Sequence, residues 1–239
     1  MRRWSLLKDQ LLQNLWGPIC VEGGNNLYPR LRKNKKMKIF TLTSDHNFNE
    51  IPKLIEFNLI EEGEHLIWAR TSIKKIRLET EFAEKVLHGF FQDEPHLRSP
   101  HFLDEFFPKD ILNLDFSSQS LELSEGEIKK ELESIDGLIR LENEKTINGF
   151  VILYTTIIKG ENNLNVGEIE SGLNLPNSEQ GGANHQVSSI EDKKRNILKM
   201  VKKICNKYNY SEVKIDELSF NIPDKTEEIY SIAGIFKKD

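Results

Sequence analysis

The chain has 239 residues, with 33 Lys and Arg against 38 Asp and Glu and a formal net charge of -5. A hydrophobic share of 38% excludes wholesale disorder, and the length is enough to bury a substantial core. Two cysteines cannot make a disulfide scaffold or a four-thiolate zinc site, and the slightly acidic balance gives no overall pull towards nucleic acid.

Residues 1–16 read as an amphipathic helix with Leu7, Leu11, Leu12 and Leu15 on one stripe. Arg2 and Arg3 resemble the start of a signal peptide, but Lys8, Asp9, Gln10, Gln13 and Asn14 break its apolar core. No apolar run is long enough to cross a membrane, so the chain is expected to be cytoplasmic, with Cys20 and Cys205 reduced. Pro18 is expected to stop the first helix. Ile19, Cys20 and Val21 then read as a short buried strand that enters a tight loop at Glu22, Gly23 and Gly24.

Residues 28–38 are strongly basic, and 38–45, KIFTLTSD, read as a strand ending in Ser44 and Asp45. A helical period over 48–63 carries Phe48, Ile51, Ile55 and Leu59, with Pro52 near the first turn and Gly63 closing it. At least one strand is expected in 65–82, a helix over 82–91, and a loop over 93–101. DILNLDF, 110–116, reads as a buried strand, followed by a loop and an acidic helix over roughly 125–142. The run 149–158, GFVILYTTII, is continuously apolar, as a strand buried on both faces would be. Residues 162–189 are aperiodic and rich in Gly, Asn and Ser, which predicts a long surface loop or insertion open to motion. An amphipathic helix over 191–208 and two strands over 211–220 and 228–238 end the chain.

The alternation of strands and helices predicts one α/β domain over 1–239. Its expected form is a Rossmann-like, mostly parallel sheet with helices on both faces and a C-terminal antiparallel strand pair.

Three constellations could carry chemistry. In open α/β sheets ligands bind outside the carboxyl ends of strands, where glycines let a ligand approach the backbone. Glu22, Gly23 and Gly24 are read at such an end, either as a ligand loop or as a plain glycine turn. Asp45 ends the next strand, where a carboxylate grips ribose hydroxyls or, equally, caps the following helix. Asn113 and Asp115 project from one side of their strand, beside Phe116. Together they suit a planar amine-bearing group; the plainer reading is a capping Asp115 and a core Phe116.

The order of a strand with a Gly-rich loop, a strand ending in an acid, a later Asn-x-Asp-aromatic strand and a closing antiparallel pair resembles the class I S-adenosylmethionine-dependent methyltransferases. DILNLDF is similar to the Asp-Pro-Phe-Gly and Asn-Pro-Pro-Tyr strands of the amine-methylating members. The resemblance implies that Glu22, Gly23 and Gly24 line the methionine part of S-adenosylmethionine and that Asp45 holds its ribose. It implies that Asp115, with Phe116 and Asn113, faces the acceptor, a nucleic-acid or protein amine. The chain departs from the pattern in lacking Gly-x-Gly and in having no proline after Asp115. Those departures favour the alternative, a non-catalytic subunit of the same fold that serves as a scaffold or protein partner. A nucleotide-binding α/β protein using another cofactor is a third reading. The catalytic reading requires Glu22, Asp45 and Asp115 to meet at one rim.

Arg30, Arg32, Lys33, Lys35 and Lys36, with Lys38 and beside Tyr28, could track a phosphate backbone near the cofactor end, or form a solvated surface. His88, His96 and His101 match no metal-ligand spacing and read as surface residues, so no metal is expected. There is no Walker loop and no Gly-x-Ser-x-Gly.

Overall fold

The computed structural model describes residues 2–28, 36–43, 50–56, 59–69, 85–88, 107–117, 127–145, 148–176, 186–223 and 225–239. Helix α1 (Arg2–Leu11) runs through a π-helical turn (Leu12–Trp16) into α2 (Gly17–Leu27). Strand β1 (Met37–Thr43), α3 (Glu50–Glu56), β2 (Ile60–Ala69), β3 (Lys85–His88) and β4 (Ile111–Asp115) follow. Next come α4 (Glu127–Glu144), β5 (Gly149–Lys159), β6 (Leu164–Asn165), α5 (Val166–Gly172) and β7 (Gln186–Val187). Helix α6 (Ile190–Lys207), β8 (Tyr210–Asn221) and β9 (Glu227–Lys238) complete the chain.

The main sheet has seven strands in the order β3-β2-β1-β4-β5-β9-β8. The first five are parallel, and β9 lies antiparallel to both β5 and β8. This is the expected Rossmann-like sheet with its antiparallel closing pair. Strand alternation divides the core. Ile39, Ile111 and Val151 face α1, α2 and α3, meeting Leu12, Trp16, Ile19 and Leu54. Their neighbours Phe40, Leu112 and Ile152 face α4, α5 and α6, meeting Ile135, Ile169 and Val201. Helices therefore cover both faces, which is why β5 is apolar along almost its whole length.

Four expectations are corrected. Residues 17–27 are a helix, not a strand and loop. Pro18 sits in the first turn of α2, directly after the π-helical turn Leu12–Trp16, a local irregularity of the ladder that accommodates it. Leu15, Ile19, Gly23 and Leu27 recur every fourth residue, and Gly23 lies so close to β5 that a Cβ there would stand 2.3 Å from Val151 Cγ2. The helix expected over 48–63 ends at Glu56, because the Leu59 carbonyl accepts from Met37 N–H at 3.0 Å and Ile60 already pairs with β1. The helix expected over 82–91 contains strand β3, since Lys85–His88 pair in parallel with Leu66–Ala69; pairing at the sheet edge overrides local propensity there. The loop expected over 162–189 holds β6, α5 and β7, and buries Val166, Ile169, Leu173 and Leu175. Asn165 caps α5, its Oδ1 accepting from Glu168 N–H at 3.1 Å.

Candidate functional site

The strand order reverses between β1 and β4: β2 and β3 lie outward on one side, β5 and β9 on the other. In such sheets the crevice at the carboxyl ends of the two central strands is where ligands bind. The β1 end reaches Thr43 and the β4 end reaches Asp115; Asp45 lies outside the described residues.

On the α1 face the sheet changes character along its length. Its lower half is apolar, with Ile39, Ile111 and Val151. Its upper half carries Thr41 opposite Asn113, and Asp115 opposite Thr155 and then Ser231. All five are buried. Thr155 Oγ1 and Ser231 Oγ share a 2.8 Å hydrogen bond, and Trp16 Nε1–H donates to Ser231 Oγ at 3.1 Å. Ser117 N–H donates to Asp115 Oδ1 at 3.0 Å, and the Ser117 hydroxyl donates to the same oxygen. Lys8 of α1 sets its Nζ 2.7 Å from Asp115 Oδ2, with side-chain exposures of 6% and 1%. That approach is an ion pair by distance, without the angle of a directed hydrogen bond. Among the described residues, Thr41 Oγ1 and both polar atoms of Asn113 have no hydrogen-bond partner. Buried polar groups are normally satisfied, so these atoms make the layer polar beyond what packing requires; Thr156 Oγ1 and the Tyr210 hydroxyl likewise have no hydrogen-bond partner elsewhere in the core.

Asn113 and Asp115 are thus brought together, as alternation predicted. Phe116 is not with them. It is fully buried on the opposite face, its ring 5.9 Å from that of Tyr154 at 68°, which is the core reading. Glu22, Gly23 and Gly24 are also elsewhere. Gly23 packs at Val151, four residues short of Thr155, so about 13 Å below Asp115 along the strands. Glu22 Oε2 pairs with Lys214 Nζ on β8 at 2.7 Å. The rim that was to unite Glu22 with Asp115 does not exist, because residues 17–27 are a helix crossing β5 and β9 rather than a strand-end loop.

Arg30, Arg32, Lys33 and Lys35 lie outside the described residues, and Lys36 directly precedes β1. Lys36 therefore lies at the amino edge of the sheet, opposite the rim at Asp115 and not near the cofactor end. His88 ends β3, and His96 and His101 lie outside the described residues.

Sequence reasoning missed Lys8, Thr41, Ser117, Thr155 and Ser231. A signal for Lys8 was present. It stands three, four and seven residues before Leu11, Leu12 and Leu15, so it shares their buried stripe. A lysine on such a stripe needs a buried acid. Among the described residues, no helix is long and apolar enough to cross a membrane.

No family model and no curated protein matches the chain. Among solved structures, the chain is similar to TYW2 of M. jannaschii in complex with AdoMet, at 9% identity and a TM-score of 0.47, over 94% of this chain and 78% of that one. It is similar to TYW2 of P. horikoshii in complex with MeSAdo, at 11% identity and a TM-score of 0.41, over 92% of this chain and 62% of that one. A SAM-dependent methyltransferase of Methanosarcina mazei matches at 11% identity and a TM-score of 0.43, over 89% of this chain and 98% of that one. At these values the likenesses carry no argument of their own. The fold is Rossmann-like on its own strand order and register.

Proposed function

We propose that the chain is an S-adenosylmethionine-dependent methyltransferase that takes its cofactor at the carboxyl ends of β1 and β4. What supports this is the unpartnered Thr41 hydroxyl and Asn113 carboxamide, paired across the switch point beneath Asp115. A site evolved only for packing would continue the Ile39 and Ile111 layer. The donor set fits the cofactor's charge: Asp115 already holds a cation, the Lys8 ammonium, in a nearly enclosed place. Asp45, two residues beyond Thr43, would hold the ribose.

The bound cofactor would supply an activated methyl group. The chain's own task is then alignment and exclusion of water. Asp115 would orient the acceptor by accepting from its amine once Lys8 has released it, and Ser117 would keep the carboxylate aimed. Helix α1 would exclude water from above. The acceptor in this reading is a nucleic-acid or protein amine. Glu22, Gly23, Gly24 and Phe116 have no part in it.

The Lys8–Asp115 pair favours a second reading, a non-catalytic subunit whose rim is sealed by its own helix. Titration calorimetry separates the two. S-adenosylmethionine should bind the unaltered chain, less tightly Asp45→Ala, and more tightly Lys8→Met, which frees the carboxylate. No heat from S-adenosylmethionine or S-adenosylhomocysteine with any of these proteins leaves only the sealed subunit.

A further inference from the structure

A second cleft, of about 600 Å³, opens at the carboxyl end of β5 on the α4 side, under the β6–α5–β7 insertion. Ile128, Leu164 and Ile169 give it an apolar floor, and Asn162, Asn163 and Gln186 line it with carboxamides. Lys129, Lys159 and Lys193 also line it, with Glu161 and Glu168 as the acids. Lys129 is spent on Glu168, Nζ to Oε1 2.6 Å.

Lys193 is the unusual member. Only 2% of the residue is exposed, and it sits in the first turn of α6, where the helix dipole disfavours a cation. Its Nζ donates to the Lys159 carbonyl at 2.7 Å and the Gly160 carbonyl at 3.3 Å. Burial pushes its ionisation down, and among the described residues it makes no ion pair. An ammonium has three donors, so two carbonyls leave one hydrogen and an uncompensated charge at the cleft. The acids of its own turn are engaged elsewhere, Glu191 with Lys194 and Asp192 with Arg195.

We propose that this cleft binds a nucleoside monophosphate, with its phosphate on Lys193. The base would lie on the apolar floor with its edge towards the carboxamides, whose adjacent donors and acceptors match a base edge. The volume suits a ligand of that size. Ile157 and Lys159 lie two and four residues beyond Thr155, the partner of Asp115. The cleft thus starts about 7 Å further along the strand direction than Asp115. Its use as the acceptor's place rests on the reading above; its use as a nucleotide site does not.

The test titrates guanosine monophosphate, guanosine and inorganic phosphate separately into the full chain, without S-adenosylmethionine. Guanosine monophosphate should bind about tenfold more tightly than guanosine, the worth of one charge-assisted hydrogen bond, and Lys193→Met should remove that difference. Asn162→Ala and Gln186→Ala, near the surface, should each weaken the nucleotide several-fold, and they decide the matter should Lys193→Met fail to fold. Equal binding of nucleotide and nucleoside overturns the proposal. So do nucleotide binding unaltered in all three variants, and inorganic phosphate binding as tightly as the nucleotide. A chain that binds the nucleotide but not S-adenosylmethionine keeps this site and loses the methyltransferase; the converse result loses this site alone.

Discussion

The Lys8 ammonium lies 2.7 Å from the Asp115 carboxylate, and both side chains are buried. Helix α1 is thereby fastened to the carboxyl end of β4, and a second ion pair, Asp9 with Lys53, ties it to α3.

A buried pair is weak support for stability as a pair but costly to halve. Lys8→Ala should destabilise the chain by about 3 to 5 kcal/mol, because Asp115 is left charged and enclosed. The double change Lys8→Met with Asp115→Leu should recover most of that loss. Urea denaturation of the three proteins measures it. Equal losses in the single and double variants would show that Lys8 contributes packing and no charge.

Asn113 has two polar atoms without partners, and its strand neighbours Leu112 and Leu114 are wholly buried. Asn113→Leu should therefore stabilise the ligand-free chain by about 1 to 3 kcal/mol, since a stranded amide is removed. The same change should weaken S-adenosylmethionine binding. Thermal unfolding with and without the cofactor reads both effects, and a variant that is more stable yet binds unchanged would remove Asn113 from the site.

Gly23 and Gly24 should differ sharply. A Cβ on Gly23 would meet Val151 Cγ2 at 2.3 Å, whereas on Gly24 the nearest atom is Met37 Cε at 3.7 Å. Gly23→Ala should cost about 1 to 3 kcal/mol through overpacking, with relief from Val151→Ala. Gly24→Ala should stabilise by up to about 1 kcal/mol through helix propensity. Similar costs at both positions would contradict the helix.

At the other end of β4, Asp110 accepts from the Tyr28 hydroxyl and, at 2.8 Å, from Lys38 N–H. Burial pushes its carboxyl up to about 6, against the pull of the Lys38 N–H. Glu142, also pushed up by burial, faces Asp110 and receives Lys109 N–H at 3.0 Å. Because the folded carboxyl sits above its unfolded value of about 3.9, the folded chain holds a proton that the unfolded chain has lost between about pH 4 and 6. Asp110 thus contributes stability below about pH 4 that is lost as the pH rises through about 6, some 3 kcal/mol in all. Asp110→Asn should gain on the unaltered chain steadily over that interval. Denaturation at a series of pH values gives the difference, and a constant gap would refute the raised carboxyl.

Strands whose partners lie on both sides were legible in the linear chain. GFVILYTTII and DILNLDF announce themselves because a strand covered on both faces must be apolar throughout or nearly so. The closing pair and α6 were legible for the same kind of reason, from local periodicity. Residues 17–27 were misread because Pro and two Gly are local breakers, while the helix there is held by a face packed on Val151 and Ile235. Strand β3 was misread because its four residues are extended only through pairing with β2.

The amino-acid order alone determined that this is an alternating α/β chain and that Asn113 and Asp115 share one side of a strand. It did so because strand and helix periods are local properties of consecutive residues. Only the tertiary structure decided that Lys8 answers Asp115 and that Glu22 answers Lys214 instead. It also decided that Lys193 is buried on the Lys159 and Gly160 carbonyls at a cleft, with no ion pair of its own among the described residues. A charge is neutralised by whatever the fold brings within a few ångströms, and that neighbour stands a hundred or more residues away in two of these three cases.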